Sequence, residues 1–178
     1  LRCATDVDGR EAVAADAAIA LIGRYMRDAL EHSAERQVSL STELEMVERY
    51  VDIERLRFGD GLRLELAVAR EALGARVPAL ILQPLVENAV RHGLGDGANG
   101  GVIIVAAVVC DGRLRLSVRD PAPHAGAQAD APIEEGFGIR YVRERLAHFH
   151  GTRGWLRIRR EPEGTEASVE LPFVLDPS

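Results

Sequence analysis

Leu80-Ile81-Leu82-Gln83-Pro84-Leu85-Val86-Glu87-Asn88-Ala89-Val90-Arg91-His92-Gly93 is an apolar run that acquires a carboxylate, an amide and two basic groups within a few helical turns. On a helix, residues four apart stand one above another, so Gln83, Glu87 and Arg91 form one row and Pro84, Asn88 and His92 the adjacent row. Ile81, Leu82, Leu85, Val86, Ala89 and Val90 cover most of the remaining circumference. This distribution predicts a largely buried helix whose polar stripe faces a cleft, because a buried charged stripe needs a partner or a ligand. By residue type, Glu87 suits a general base, Asn88 offers an amide oxygen to a hard cation, and Arg91 and His92 bind anionic oxygen. Such a set fits magnesium and phosphate chemistry. The plainer alternative is a helix edge on which Glu87 pairs with Arg91.

Outward from this stretch, Pro78 is expected in the first turn of the helix, which closes at Gly93. Gly95, Gly97, Gly100 and Gly101 then form a glycine-rich loop, a candidate lid. Residues 102–109 and 114–118 flank Asp111-Gly112, a strong signal for a two-residue hairpin between antiparallel strands. The second of these strands runs into Asp120, and Pro121 opens a loop that continues to Glu135. Gly136-Phe137-Gly138 precedes a helix over 139–150. Residues 155–159 and 167–171 read as strands joined by a turn at 161–165.

On the N-terminal side, Leu62-Arg63-Leu64-Glu65-Leu66-Ala67-Val68 alternates as a half-buried strand does. Two helices are expected before it. The first, over 11–31, has Ala18, Leu21, Ile22, Tyr25, Met26 and Leu30 on one face; the second follows a capping-box pattern, Thr42 with Glu45, and ends at Gly59-Asp60-Gly61. Joined by a short polar link, they read as an antiparallel hairpin. The expected organisation is a helical unit over 1–60 followed by a unit over 61–178. The fold class is α+β, a two-layer sandwich with helices covering a mixed, mainly antiparallel sheet.

Composition narrows the function classes. A net charge of −6 argues against non-specific nucleic-acid binding. Lys is absent, so all 22 basic residues are Arg, and a Walker-type phosphate loop, which requires Lys, is excluded. Cys3 and Cys110 have neither metal-ligand nor disulfide-framework spacing, and a reducing cytosolic setting fits. No apolar run reaches the roughly 20 residues needed to cross a bilayer, and no signal-peptide pattern opens the chain. Because the chain starts at Leu1 rather than Met, a fragment of a longer protein is expected.

Taken in order, these motifs resemble the ATP-binding domain of the gyrase, chaperone, histidine-kinase and MutL ATPase superfamily. Leu80 to Gly93, with Gly138-Ile139-Arg140-Tyr141-Val142-Arg143-Glu144-Arg145-Leu146, is similar to the LytS-type sensor histidine kinases. Glu48-Arg49-Tyr50-Val51 and Glu54-Arg55-Leu56-Arg57-Phe58-Gly59 resemble that family's linker.

The resemblance implies a Bergerat-type ATP-binding fold with ATP and Mg²⁺ as cofactors. It implies that Glu87 positions or activates the nucleophile, Asn88 coordinates Mg²⁺, and Arg91 and His92 contact phosphates. Asp120 would accept the adenine amino hydrogen bond, Gly136 and Gly138 would shape the nucleotide lid, and Thr165 would lie near the adenine pocket. It further implies transfer of the γ-phosphoryl group to a histidine upstream of this chain, a response regulator as partner, a homodimer through the N-terminal helices, and an upstream sensor domain. The chain itself would be cytoplasmic, with an inner-membrane location open for the full-length protein.

Two departures stand out. The family pattern after the adenine-binding Asp is Asn-Gly-x-Gly, whereas this chain has Pro121-Ala122-Pro123-His124, two residues of which fix φ. The phosphoacceptor motif Asn-Pro-His-Phe-Leu-Phe-Asn is missing, and none of the five histidines has its flanks. A second function class therefore stays open at this point: a degenerate nucleotide-sensing or protein-binding module without kinase turnover.

Overall fold

The computed structural model describes residues 37–58, 61–93, 101–121, 136–161 and 164–175, with the backbone alone at Arg57, His92, Gly93 and Glu161. The expected first helix, the glycine-rich loop over 94–100 and most of the Pro121 to Glu135 loop lie outside the described residues.

The sheet follows from alternation. In strand β5 (Arg113–Asp120), Leu114, Leu116, Val118 and Asp120 are buried while the residues between them are not. Period-two side-chain direction therefore carries Asp120 onto the same face as three core residues. Strand β7 (Gly164–Pro172) does the same with Ala167, Val169 and Leu171, and pairs antiparallel with β5. Strand β4 (Gly101–Cys110) lies antiparallel on the other side of β5, joined to it at Asp111 (φ 50°) and Gly112 (φ 70°). Two successive positive φ values match the right-handed strand twist, as the Asp-Gly pair predicts. With β2 (Leu62–Val68) parallel to β4, and β6 (Trp155–Glu161) antiparallel to β7, the order is β2-β4-β5-β7-β6. A single parallel pair makes the sheet mixed and mainly antiparallel, as expected.

Helices α1 (Leu40–Phe58), α2 (Gln83–Gly93) and α3 (Phe137–His150) cover the inner face. Leu85, Val86 and Val90 of α2, and Ile139, Val142 and Leu146 of α3, join Leu116, Val118 and Val169 in one apolar cluster. Leu40, Leu44, Val47 and Val51 of α1 belong to that same cluster. The helix expected within a separate unit over 1–60 thus shares its core with the sheet.

Two local expectations need correction. Helix α1 starts at Leu40, and its cap is Ser39 rather than Thr42: the Thr42 N–H donates to Ser39 Oγ at 3.2 Å. Pro78 is not helical. It closes a short strand β3 (Arg76–Pro78), antiparallel to β1 (Gln37–Ser39), where the last residue of a two-stranded ladder tolerates a missing N–H. The first-turn proline of α2 is Pro84. The far end of the described chain reaches the same place, with the Arg76 N–H donating to the Val174 carbonyl at 2.7 Å and an isolated bridge between Ala75 and Leu175.

On the outer face Glu170 accepts hydrogen bonds from Arg113 Nε and from Arg115 Nη2, the latter at 3.1 Å. Partial burial pushes the Glu170 carboxyl up, but the bonds from Arg115 and Arg113 and their charges more than offset this and hold it below its ordinary value of 4.5. A depressed native pKa adds stability that is present above that value and is lost as the pH falls through the native pKa. Glu170→Gln should therefore cost about 1 kcal/mol at neutral pH. The gap from wild type in urea midpoints should close as the pH drops below 4.5; a pH-independent gap would rule this origin out.

Candidate functional site

A cleft of about 460 Å³ opens between α2 and the start of α3. Its α2 wall carries Gln83, Glu87, Asn88 and Arg91, and its α3 wall carries Gly136, Phe137, Gly138 and Tyr141. The helical repeat sets the first wall: Gln83 and Glu87 are one turn apart, and Gln83 Nε2 donates to Glu87 Oε1 at 3.0 Å. Gln83 is 3% exposed whereas Glu87 is exposed, so a buried amide steadies a carboxylate that reaches solvent. Arg91 Nη2 donates to Asn88 Oδ1 at 3.4 Å. The Glu87–Arg91 pairing of the plainer reading is thus replaced by a bond to the amide three residues away.

The two glycines of the second wall do different work. A Cβ on Gly138 would stand 3.1 Å from Pro84 Cβ, so a side chain there would push the first turns of α2 and α3 apart. A Cβ on Gly136 would meet Arg91 Nη2 at an ordinary 3.7 Å. Between them Phe137 is 79% exposed. Behind Tyr141, the buried Arg145 guanidinium lies 5.7 Å from the Tyr141 ring centroid and 5.0 Å from that of Phe149, within cation–π range of both.

Asp120 and Thr165 sit apart from this described lining, at the ends of β5 and β7, where they are register partners. Thr165 shares the parity of Ala167, Val169 and Leu171, so both residues face the helices, and Asp120 is only 1% exposed. Helix α2 packs directly on β5, which brings the polar stripe and Asp120 to one side of the sheet. The structure therefore gathers Glu87, Asn88, Arg91, Gly136 and Gly138 on the cleft, and Asp120 with Thr165 on the strands behind α2. The His92 side chain lies outside the described residues.

Two further residues shape the site, and the linear reading assigned neither of them this role. Gly164 has φ 141°, and a Cβ there would fall 1.8 Å from the Asp120 carbonyl oxygen, so only glycine lets β7 begin against the end of β5. Its sequence signal was the Glu161-Pro162-Glu163-Gly164 turn. Glu43 is buried in α1 and accepts hydrogen bonds from the residues that lead into α2. Its signal was a carboxylate at an apolar-face position, between Leu40 and Leu44.

As a donor set, the residues present fit a magnesium nucleotide. Asn88 offers an amide oxygen to a hard cation, Arg91 offers a guanidinium, Glu87 offers a carboxylate base at the cleft, and the amides opening α3 suit phosphate.

Comparison with known proteins agrees with this geometry. Residues 5–62 match a histidine kinase family model, and residues 74–175 match the model of histidine kinase-, DNA gyrase B-, and HSP90-like ATPases. The chain is 31% identical over 157 residues to the sensor histidine kinase YpdA of Escherichia coli, covering 85% of this chain and 27% of that one. It is 28% identical over 161 residues to the sensor protein LytS of Staphylococcus saprophyticus, again covering 85% of this chain and 27% of the other. The chain thus spans about a quarter of the length of these relatives. In structure it is similar to the Acinetobacter baumannii histidine kinase AdeS, with a TM-score of 0.59 at 15% identity over 77% of this chain and 66% of that one. The sheet order, the cleft between α2 and α3, and the matched family model over 74–175 lead to one conclusion: this chain belongs to the histidine kinase-, DNA gyrase B- and HSP90-like ATPase family and is similar in sequence to LytS-type sensor proteins.

Proposed function

We propose that this chain is the catalytic part of a two-component sensor histidine kinase that binds Mg-ATP in the cleft between α2 and α3 and directs its γ-phosphoryl group to a histidine elsewhere in the full-length protein. The observation that carries this reading is the convergence of the Glu87, Asn88 and Arg91 stripe with the glycine-flanked start of α3 on one cleft. Bound Mg-ATP supplies the transferable phosphoryl group, with the metal offsetting phosphate charge.

The chain's own residues do the rest. Asn88 holds the metal through its amide oxygen, and Arg91, steadied on Asn88, meets phosphate oxygens together with His92. Glu87, braced by Gln83, orients or deprotonates the attacking histidine. Asp120 accepts a hydrogen bond from the adenine amino group, with Thr165 beside it on β7. Gly136 and Gly138 give the backbone opening α3 close access to phosphate, where the helix dipole favours negative charge.

The full-length protein would dimerise through its N-terminal region, which carries the apolar stripe over 11–31. A sensor domain lies upstream in this scheme, and a response regulator receives the phosphoryl group. The catalytic part works in the cytoplasm. Among the described residues no helix is long and apolar enough to cross a membrane, so an inner-membrane anchor would come from other parts of the protein.

Equilibrium binding of ATP, with and without Mg²⁺, tests the reading. Wild type should bind saturably and more tightly with the metal. Asp120→Asn should weaken binding roughly ten- to hundredfold, the worth of a hydrogen bond to a charged group. Absence of saturable binding by wild type at millimolar ATP would rule the kinase reading out.

A further inference from the structure

Helix α1 carries a carboxylate where its periodicity asks for a hydrocarbon. Leu40, Glu43, Leu44, Val47 and Val51 share one face, and Glu43, at 1% exposed, is as buried as its neighbours. A charged group at that depth is expensive unless donors meet its oxygens. Here the donors are backbone amides thirty-seven to thirty-nine residues away. Leu80 N–H donates to Oε1 at 2.6 Å, while Ile81 and Leu82 N–H donate to Oε2 at 2.9 and 3.0 Å.

These three amides stand immediately ahead of α2, which begins at Gln83, at the end of the helix where N–H groups lack intrahelical partners and the dipole is positive. Leu80 has φ 60°, and the left-handed turn aims successive N–H groups at one anion. The β1–β3 ladder brings the two halves of this contact together. It pairs Ser39, the residue before α1, with Arg76, and Leu80 lies two residues beyond Pro78, which pairs with Gln37. Leu80 also lines the cleft.

We propose that Glu43 is a positioning residue for the nucleotide cleft. Its carboxylate pins the amino end of α2 and thereby sets the height and rotation of Glu87, Asn88 and Arg91. Strand β1 is consequently coupled to the catalytic stripe through two attachments, the ladder and the clamp. A displacement of β1 moves α2 rather than being absorbed in a loop. The proposal deepens the kinase reading and rests on it for the role of the stripe.

The test compares Glu43→Gln and Glu43→Asp with Val47→Ala, a core truncation one turn further along the same buried face, in this chain. Amide hydrogen exchange at Leu80, Ile81 and Leu82 without nucleotide reads the clamp, and the Kd for Mg-ATP reads the stripe. Glu43→Gln should speed exchange at those amides and raise the Kd, each by about tenfold. Glu43→Asp, which keeps the charge but shortens its reach, should fall between Glu43→Gln and wild type and carries the comparison if the glutamine variant does not fold. Val47→Ala should lower Tm and leave the Kd at the wild-type value. A Glu43 variant with faster exchange and unchanged Kd overturns the proposal, as does a Val47→Ala chain whose affinity falls equally. A wild-type chain that binds no nucleotide overturns the kinase reading instead, a result distinct from either of these.

Discussion

Gly164→Ala is expected to destabilise the chain by about 3 kcal/mol or more and to weaken nucleotide binding at the Asp120 end of β5. Two effects act at one atom. The backbone φ of 141° is a conformation that alanine adopts only under strain, and the added methyl would lie 1.8 Å from the Asp120 carbonyl oxygen and 2.9 Å from Pro121 Cα. Neither obstacle is the tip of a flexible side chain, so relief requires β7 to separate from β5 where Asp120 pairs with Thr165. Domains of this size are held by only about 5–15 kcal/mol, so the loss is a large share of the total. Gly112→Ala is the internal control. Its φ of 70° is also positive, but nothing lies within 4 Å of the added methyl, so only the backbone term of about 1–2 kcal/mol remains. Urea unfolding of both variants separates the two contributions. Equal losses would mean that close approach to Asp120 is not what Gly164 provides.

The second large effect concerns chemistry rather than folding. Glu87→Gln keeps an oxygen for the Gln83 amide to donate to, now at 3.0 Å from Glu87 Oε1, and it removes the base. ATP affinity should stay within about threefold of wild type, while phosphoryl transfer in the full-length protein falls by roughly 10² to 10⁴, the usual worth of a positioned general base. Asn88→Ala should differ in kind. It deletes the proposed metal oxygen and releases Arg91, whose Nη2 donates to Asn88 Oδ1, so the Mg²⁺ dependence of ATP binding should vanish together with transfer. Calorimetry with and without the metal, beside transfer of label from γ-labelled ATP, distinguishes the pair. If Glu87→Gln transferred label at the wild-type rate, Glu87 would be no more than a helix-edge acid.

Much of this was legible in the chain because the signals are local. Asp111-Gly112 between two apolar runs gave the β4–β5 hairpin and its turn, where both residues have positive φ values. The polar stripe of α2 follows from the helical period alone. What stayed hidden depends on distant partners. Strands β1 and β3 are three residues each, too short for a period to register, and Pro78 looked like a helix start because nothing nearby reveals its pairing with Gln37. Glu43 stands in the first turn of its own helix, yet its carboxylate accepts from the amides of Leu80, Ile81 and Leu82, some forty residues further along the chain. Thr165 was placed near the pocket by resemblance, and its position opposite Asp120 required the β5–β7 register.

Strand β3 has one more consequence. It is bordered by Gln37 to Ser39 on one side and by Val174 and Leu175 on the other, so both extremities of the described polypeptide knit into the same three-residue seam just ahead of Leu80. A neighbour attached at either extremity would tug on one common stitch. Clipping the tail at Pro172 would unpick half of that seam without touching a single residue of the cleft.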